Sequence, residues 1–264
     1  MPTLLLTPRY TDDSIAILIA AQSVGWATLR LYGWRVPPGE IDPQEEIVFY
    51  GEPLLAATLA EALPVALLEP PLDWLPSLPA EYRKRDVRLT TLGEARAITT
   101  PAFIKPADDK CFAARVYASG AELPQETTLP DETPTLVAEP VDWRVEYRCF
   151  VLERTVATLS PYWRAGALAQ TEDGAWPTPD DERTEMLSFV ETLLADRRVK
   201  LPSAVALDVG IIVERGWAVV EANAAWGSGL YGCDPLATLP VLQRACVRRA
   251  TLASEDAQWV VARA

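Results

Sequence analysis

The sequence predicts a mixed α/β (α+β) fold in two parts, a small parallel α/β unit followed by a larger domain of antiparallel strands. Three observations predict it. Short apolar runs alternate with helix-like segments at the start of the chain, longer strand-like runs replace them from Arg88, and the Pro-rich stretch EPPLDWLPSLP at 69–79 lies between the two regimes. The expected domains are 1–87 and 88–264. A chain of 264 residues with 49% hydrophobic and 23% charged content is large enough for two modest domains.

In the first part, Thr3 to Thr7 is a short apolar strand, and Asp12-Asp13-Ser14 offers caps for a helix through about Ser23. Ala27 to Tyr32, Ile47 to Tyr50 and Val65 to Leu68 read as further strands of a parallel sheet, with a helix from Pro53 to about Leu63. In the second part, strand signals run over Phe103 to Lys105, Ala113 to Tyr117, Thr135 to Glu139, Tyr147 to Leu152 and Thr155 to Leu159. Thr178-Pro179-Asp180-Asp181 starts a helix whose stripe is Met186, Val190 and Leu193 with Leu187 and Leu194. Pro235 to Arg249 reads as a closing amphipathic helix.

Composition removes several function classes. A net charge of -13 opposes a polyanion, so no nucleic acid is expected as a partner. No apolar run approaches the roughly 20 residues of a membrane span, and MPTLLLTPRY has neither the basic start nor the length of a signal peptide, so no membrane association and a cytoplasmic location are expected. Cys111, Cys149, Cys233 and Cys246 form no C-x-x-C pair, which suggests neither a zinc site nor a disulfide framework. With no histidine, Ser-His-Asp and Cys-His mechanisms and His-ligated metals are excluded together. No apolar stripe stands out as an oligomer interface, so the oligomeric state stays open.

The run LDVGIIVERGWAVVEANAAW reads as a β-hairpin with Arg215-Gly216 as its turn pair. A two-residue turn there sets Asp208 opposite Asn223, with Glu221 one diagonal step away on the same face. Two carboxylates and an amide on strands this apolar are costly to bury unless a hard cation neutralises them, and Mg2+ takes such ligands. The same acids could instead make a solvated hairpin edge. A three-residue turn would shift the register and point Asp208 away from its partners.

Upstream, Phe103-Ile104-Lys105-Pro106 ends a strand on a lysine, and Lys110 follows past a turn. Glu139-Pro140-Val141 leaves a strand and can present free backbone groups, because proline cannot continue a central ladder. In WRVEYRCF, Arg144, Glu146 and Arg148 alternate onto one face, and Arg164 follows in PYWRAG. These charges are either a cross-strand ion-pair ladder or a clamp for phosphate or carboxylate.

Taken in order, FIKPADDK, AEPVDW, EYRCFV with SPYWR, and DVG with EAN leading into WGSGLYGCDP resemble the ATP-grasp superfamily of carboxylate-amine ligases, and within it the clade named for two arginines and a lysine. The resemblance runs from about Arg88 to Arg249. It implies an ATP-grasp fold preceded by a small N-terminal α/β domain on the acceptor side of the cleft. It further implies that Lys105 and Lys110 contact the ATP phosphates, that the backbone around Glu139, Pro140 and Val141 holds adenine, and that Glu146 takes the ribose. Asp208, Glu221 and Asn223 would hold Mg2+, and Arg148 and Arg164 would clamp the γ-phosphate, acyl phosphate or substrate carboxylate. The chain departs from the family pattern in having no glycine over 105–115, where many members carry a phosphate-covering loop, while Gly227, Gly229 and Gly232 gather after the metal ligands.

The implied activity is an ATP- and Mg2+-dependent ligase that joins a small-molecule or peptide carboxylate to an amine through an acyl phosphate. Alternatives are an ATP-grasp kinase acting on a hydroxyl and a nucleotide-binding protein without turnover. Trp26, Trp34, Tyr50, Trp163 and Trp226 are candidate linings of the acceptor pocket, with packing the competing role for each.

Overall fold

Leu4, Leu5 and Leu6 are fully buried in β1 (Thr3–Leu6), which lies between parallel partners β2 (Ala27–Arg30) and β3 (Ile47–Tyr50). A strand covered on both faces needs a continuous apolar run, and TLLL and IVFY supply one. The computed structural model describes residues 1–33, 35, 41–42, 44–53, 56, 62, 64–108 and 110–260. Trp34, Asp109 and most of the helix expected from Pro53 lie outside the described residues. Helix α1 (Asp12–Ser23) opens on a capping box formed by Thr11 and Ser14, so the cap sits one residue ahead of the expected acids. Asp12 and Asp13 occupy its first turn, where the helix dipole favours them.

Two expectations for this half change. The strand at Val65–Leu67, β4, stays out of the parallel sheet and pairs antiparallel with Cys246–Arg248. The Pro-rich connection carries two short helices, α2 (Trp74–Ser77) and α3 (Ala80–Arg83), with Trp74, Leu75, Leu78 and Tyr82 buried. Proline at 76 and 79 keeps these helices short but does not prevent their aromatic and leucine side chains from covering the next sheet.

That next sheet has four antiparallel strands in the order β5 (Val87–Thr91), β8 (Pro134–Ala138), β6 (Ala102–Pro106), β7 (Arg115–Tyr117), with α4 (Leu92–Arg96) following β5 directly. The larger sheet has five: β11 (Ala167–Leu168), β10 (Thr155–Arg164), β9 (Trp143–Leu152), β12 (Ala204–Ile212) and β13 (Gly216–Asn223). Helix α5 (Asp180–Ala195) covers one face of the larger sheet, packing Met186, Val190, Leu193 and Leu194 against Tyr147, Cys149, Val151 and Val205. Its N-cap is Pro179 with no side-chain cap, and the Thr178 hydroxyl donates to Trp176 O instead.

The other face supports the N-terminal unit. Helix α6 (Pro235–Ala245), with proline at its start and Asp234 as cap, places Val241, Leu242 and Ala245 in one core with Leu4, Phe49, Phe150 and Trp226. It ends at Ala245 and not at Arg249, because Cys246–Arg248 leave the helix to form β14. The first and last parts of the chain thus share a core, and β5 begins one residue before the expected boundary at 88. No helix among the described residues is long and apolar enough to cross a membrane.

Candidate functional site

Even-numbered residues of β9 face the N-terminal side and odd-numbered ones face α5, since Phe150 sits in the core with Leu4 while Val145 and Tyr147 pack with Met186. Glu146 and Arg148 therefore look into the cleft between the two sheets. The neighbouring strand β12 pairs Asp208 with Arg148. A bidentate contact follows, with Arg148 Nε donating to Asp208 Oδ1 at 2.9 Å and Nη2 to Oδ2 at 2.7 Å, while Nη1 donates to Gly229 O at 3.0 Å. Asp208 is fully buried, and burial pushes its carboxyl up against the pull of Arg148. Burial also works against the Arg148 charge, but the Asp208 carboxylate outweighs it and raises the guanidinium's pKa.

The hairpin turn differs from the expected one. Its loop has three residues, 213–215, with Arg215 N–H donating to Ile212 O and Glu214 and Gly216 both at positive φ. The ladder accordingly runs Ile212↔Gly216 to Val209↔Val219, one register away from the arrangement that would join the acids. A β-bulge at Val220 then restores it, giving Asp208↔Glu221 and Ala206↔Asn223. Asp208, Glu221 and Asn223 share the cleft face, though Asp208 faces Glu221 and not Asn223.

Glu221 is the hub of the set. Lys105, at the end of β6, donates to its carboxylate, and Asn223 Nδ2 donates to Oε1 at 2.8 Å. Burial pushes Glu221 up, but the Lys105 ammonium and the Asn223 amide hold it down at about 2. Asn223 keeps its carbonyl oxygen for another donor or a metal. Two carboxylates and an amide oxygen are the hard donors that Mg2+ takes, and Lys105 and Arg148 now neutralise the two charges it would neutralise. Glu221 and Asn223 therefore fit the ion, with Asp208 behind them on Arg148. Among the described residues no three His, Cys, Asp or Glu side chains group as a metal site, so the amide is needed to complete this one.

Two adjoining cavities flank the hub. One, of ≈ 940 Å3, is lined by Arg85, Glu139, Val141, Glu146 and Tyr162. The other, of ≈ 980 Å3, is lined by Asp13, Tyr50, Glu52, Arg148, Gly229 and Tyr231. Lys105, Lys110, Glu221 and Asn223 border both. Asp208 borders neither and lies beneath Arg148. Glu139 turns its carboxylate outward to Arg215, at 2.6 and 3.0 Å, and its N–H donates to Asp86 O. Pro140 joins it to Val141, whose N–H has no hydrogen-bond partner among the described residues. Burial raises the Glu146 pKa, although the Tyr162 hydroxyl donates to it.

Arg164 is not part of this arrangement. A bulge at Tyr162 shifts the β9–β10 register so that Arg164 pairs with Val145 and turns toward α5. There it donates to Glu182 at 2.5 and 3.0 Å and to the Tyr147 hydroxyl. The expected second arginine of the clamp is a strut between sheet and helix. Of the aromatic candidates, Tyr50 lines the larger cavity, Trp226 is fully buried with its indole N–H on Leu68 O, Trp26 packs on the core and Trp163 is over a third exposed.

Several site residues escaped sequence reasoning. Arg85 spans the bulge, donating to Val219 O at 2.7 Å and Val220 O at 2.9 Å, and lies over the Trp143 ring at 4.9 Å. Burial lowers its pKa to about 10. Tyr162 and Tyr231 stack at 4.8 Å, and the Arg148 guanidinium lies 5.7 and 5.0 Å from their centroids. Tyr231 has φ +52°, an uncommon conformation for an aromatic residue. The basic cluster YRKR offered a signal for Arg85, but nothing in it distinguished Arg85 from Arg83 or Lys84. Gly227 and Gly229 admit close approach by Pro53 and Asp13 of the N-terminal unit.

Comparison with known proteins agrees with this fold. No curated protein matches the chain. Among solved structures, an ATP-grasp RimK domain protein from Sphaerobacter thermophilus has a TM-score of 0.56 at 16% identity, covering 99% of this chain and 100% of that one. An L-amino acid ligase from Bacillus licheniformis has 0.53 at 13%, covering 96% and 76%. A D-alanine–D-alanine ligase from Bacillus anthracis, solved with ATP, has 0.52 at 8%, covering 93% and 96%. At such identities the likeness establishes the ATP-grasp fold and ligase-like neighbours. The family model for the ATP-grasp domain of the clade named for two arginines and a lysine, family 2, matches residues 82–241, which span both sheets and every residue of the hub, and the chain belongs to that family.

Proposed function

We propose that this protein is an ATP- and Mg2+-dependent ligase that joins a carboxylate to an amine through an acyl phosphate. The observation that carries the reading is the wall common to the two cavities. Lys105, Lys110, Glu221 and Asn223 border both, so a nucleotide in the smaller one would present its terminal phosphates to a substrate in the larger.

In this reading the Val141 N–H meets the adenine edge and Glu146 accepts from the ribose hydroxyls. Lys105 leaves Glu221 for the phosphates, and Lys110 joins it from the glycine-free turn. Bound Mg2+, held by Glu221 and Asn223 with Asp208 behind them, would supply charge neutralisation at the transferring phosphoryl group. Arg148 is held rigid by Asp208, Gly229 O and two aromatic faces, and so offers its charge to the phosphoryl or acyl oxygens with little reorganisation. A carboxylate oxygen attacks the γ-phosphorus and releases ADP. An amine then attacks the acyl carbon and expels phosphate. With no histidine to act as base, catalysis rests on positioning and electrostatics.

The division into an N-terminal unit over 1–87 and an ATP-grasp domain over 88–264 belongs to the same proposal, with the first unit closing the acceptor side. So does a cytoplasmic location, where ATP is supplied. The two neighbours named as ligases of amino acids support amide-type chemistry. The test is incubation with ATP, Mg2+ and pooled amino acids. ADP, phosphate and a new amide should appear in equal amounts, and Asp208→Asn should abolish all three. A phosphorylated hydroxyl product would make the protein a kinase, and absence of ATP consumption would overturn catalysis.

A further inference from the structure

One wall of the larger cavity comes from the N-terminal unit, and two of its carboxylates, Asp13 and Glu52, have no task in the ligase chemistry. Asp13 lies in the first turn of α1 and accepts from Leu230 N–H at 3.1 Å through Oδ2. A Cβ on Gly229 would stand 3.1 Å from that oxygen and 3.9 Å from Arg148 Nη1. Carboxylate and guanidinium thus flank one residue that has no side chain to separate them. Tyr50 cannot serve as a donor to Asp13, because its hydroxyl is committed to Ser228 O at 2.9 Å. Glu52, on the same wall, has its Oε2 buried without a hydrogen-bond partner among the described residues, while Arg9 stands 4.0 Å from its other oxygen. A buried carboxylate oxygen left unpaired is costly, and a ligand bearing N–H donors and positive charge would satisfy it. Burial also raises the Asp13 carboxyl against the pull of the Leu230 amide and Arg148, which suits a group that exchanges a proton.

We propose that Asp13, with Glu52 on the same wall, binds the ammonium form of the amine substrate beside Arg148, and that Asp13 takes one of its protons as the nitrogen attacks. The proposal rests on the ligase reading. In the step, the ammonium gives one proton to the Asp13 carboxylate, its nitrogen forms the C–N bond, and the acyl C–O bond to phosphate breaks. The second proton leaves with the phosphate, so the products are a neutral amide, hydrogen phosphate and protonated Asp13, which returns its proton to solvent. The chain therefore selects amines that are protonated at neutral pH, and the carboxylate substrate lies on the Arg148 side of Gly229.

Hydroxylamine separates the two steps, because it is uncharged at neutral pH and traps acyl phosphates as hydroxamates without an ammonium site. The parent, Asp13→Asn, Asp13→Glu and Glu52→Gln are each incubated with ATP, Mg2+ and pooled amino acids, with and without hydroxylamine. The ratio of amide to hydroxamate should fall at least about ten-fold in Asp13→Asn, fall less in Glu52→Gln, and recover in part in Asp13→Glu. Equal ratios in all four proteins would overturn the proposal and leave the ligase reading standing. Loss of hydroxamate together with amide in a folded Asp13→Asn would also overturn it, by placing Asp13 before the amine step. Absence of hydroxamate in the parent would remove the ligase reading itself, and this proposal with it.

Discussion

Two β-bulges in one sheet have opposite consequences for the site. The bulge at Val220 corrects a three-residue turn, and without it Asp208 would face Val220 and the carboxylates would part. The bulge at Tyr162 breaks an alternation that would have set Arg164 across from Arg144 on the cleft face, and sends it to Glu182 on α5. One extra residue brings Asp208 and Glu221 together, and one extra residue takes an arginine off the cleft face while adding Tyr162, whose hydroxyl reaches Glu146. Period-two reasoning decides which face a side chain takes only between bulges.

The sharpest way to break this comparison is to exchange the two arginines' fates. Arg148→Ala leaves the fully buried Asp208 unpaired, and loss of one partner of such a pair costs about 3–5 kcal/mol. Urea unfolding should register a loss of that size, with no ligase turnover remaining. Arg85→Ala comes next, because it frees the carbonyls of Val219 and Val220 at the bulge and uncovers Trp143. A loss of roughly 1–3 kcal/mol is expected, with weaker ATP binding because Glu221 loses its fixed position. If ATP affinity were unchanged, Arg85 would not be what secures the bulge. Arg164→Ala should cost only ~1 kcal/mol, as its ion pair is partly exposed, and should leave ATP affinity alone.

A further effect is on acid stability, confined to a low-pH window. Glu221 has its folded pKa lowered from 4.5 to about 2, so its pairing with Lys105 contributes fully above 4.5 and is lost as pH falls toward 2. In Lys105→Ala that contribution should vanish, flattening the rise of stability with pH across this window. Denaturant midpoints measured between about pH 2 and 5 would show it. A slope equal to the parent's would mean that Lys105 does not hold the Glu221 charge.

Most of the second half was legible because its signals are local. The strand content of FIKP, EYRCFV and LDVGII, the stripe on α5 and the order of the motifs all depend on residues near one another in the chain. The N-terminal parallel sheet was legible for the same reason, through the doubly buried runs TLLL and IVFY. What stayed hidden depends on contacts far apart in sequence. Val65–Leu67 has the composition of a parallel strand but finds its partner at Cys246–Arg248, near the other end of the chain. The role of Asp13 depends on Gly229 and Leu230, and that of Arg85 on a bulge at Val220. No glycine or proline flanks Val220, so no turn chemistry marked that register change. Pro161 does stand beside Tyr162, and a proline inside a strand is the signal that could have placed the second bulge and released Arg164 from the clamp.

The most direct test of the account is calorimetric titration of ATP, with and without Mg2+, into the parent, Glu221→Gln and Arg164→Ala. Mg2+-dependent binding to the parent is expected, with at least about a ten-fold loss in Glu221→Gln and parent-like affinity in Arg164→Ala. Binding that ignores Mg2+ and Glu221, or that is lost with Arg164, would contradict the assignment of the two bulged strands to opposite roles.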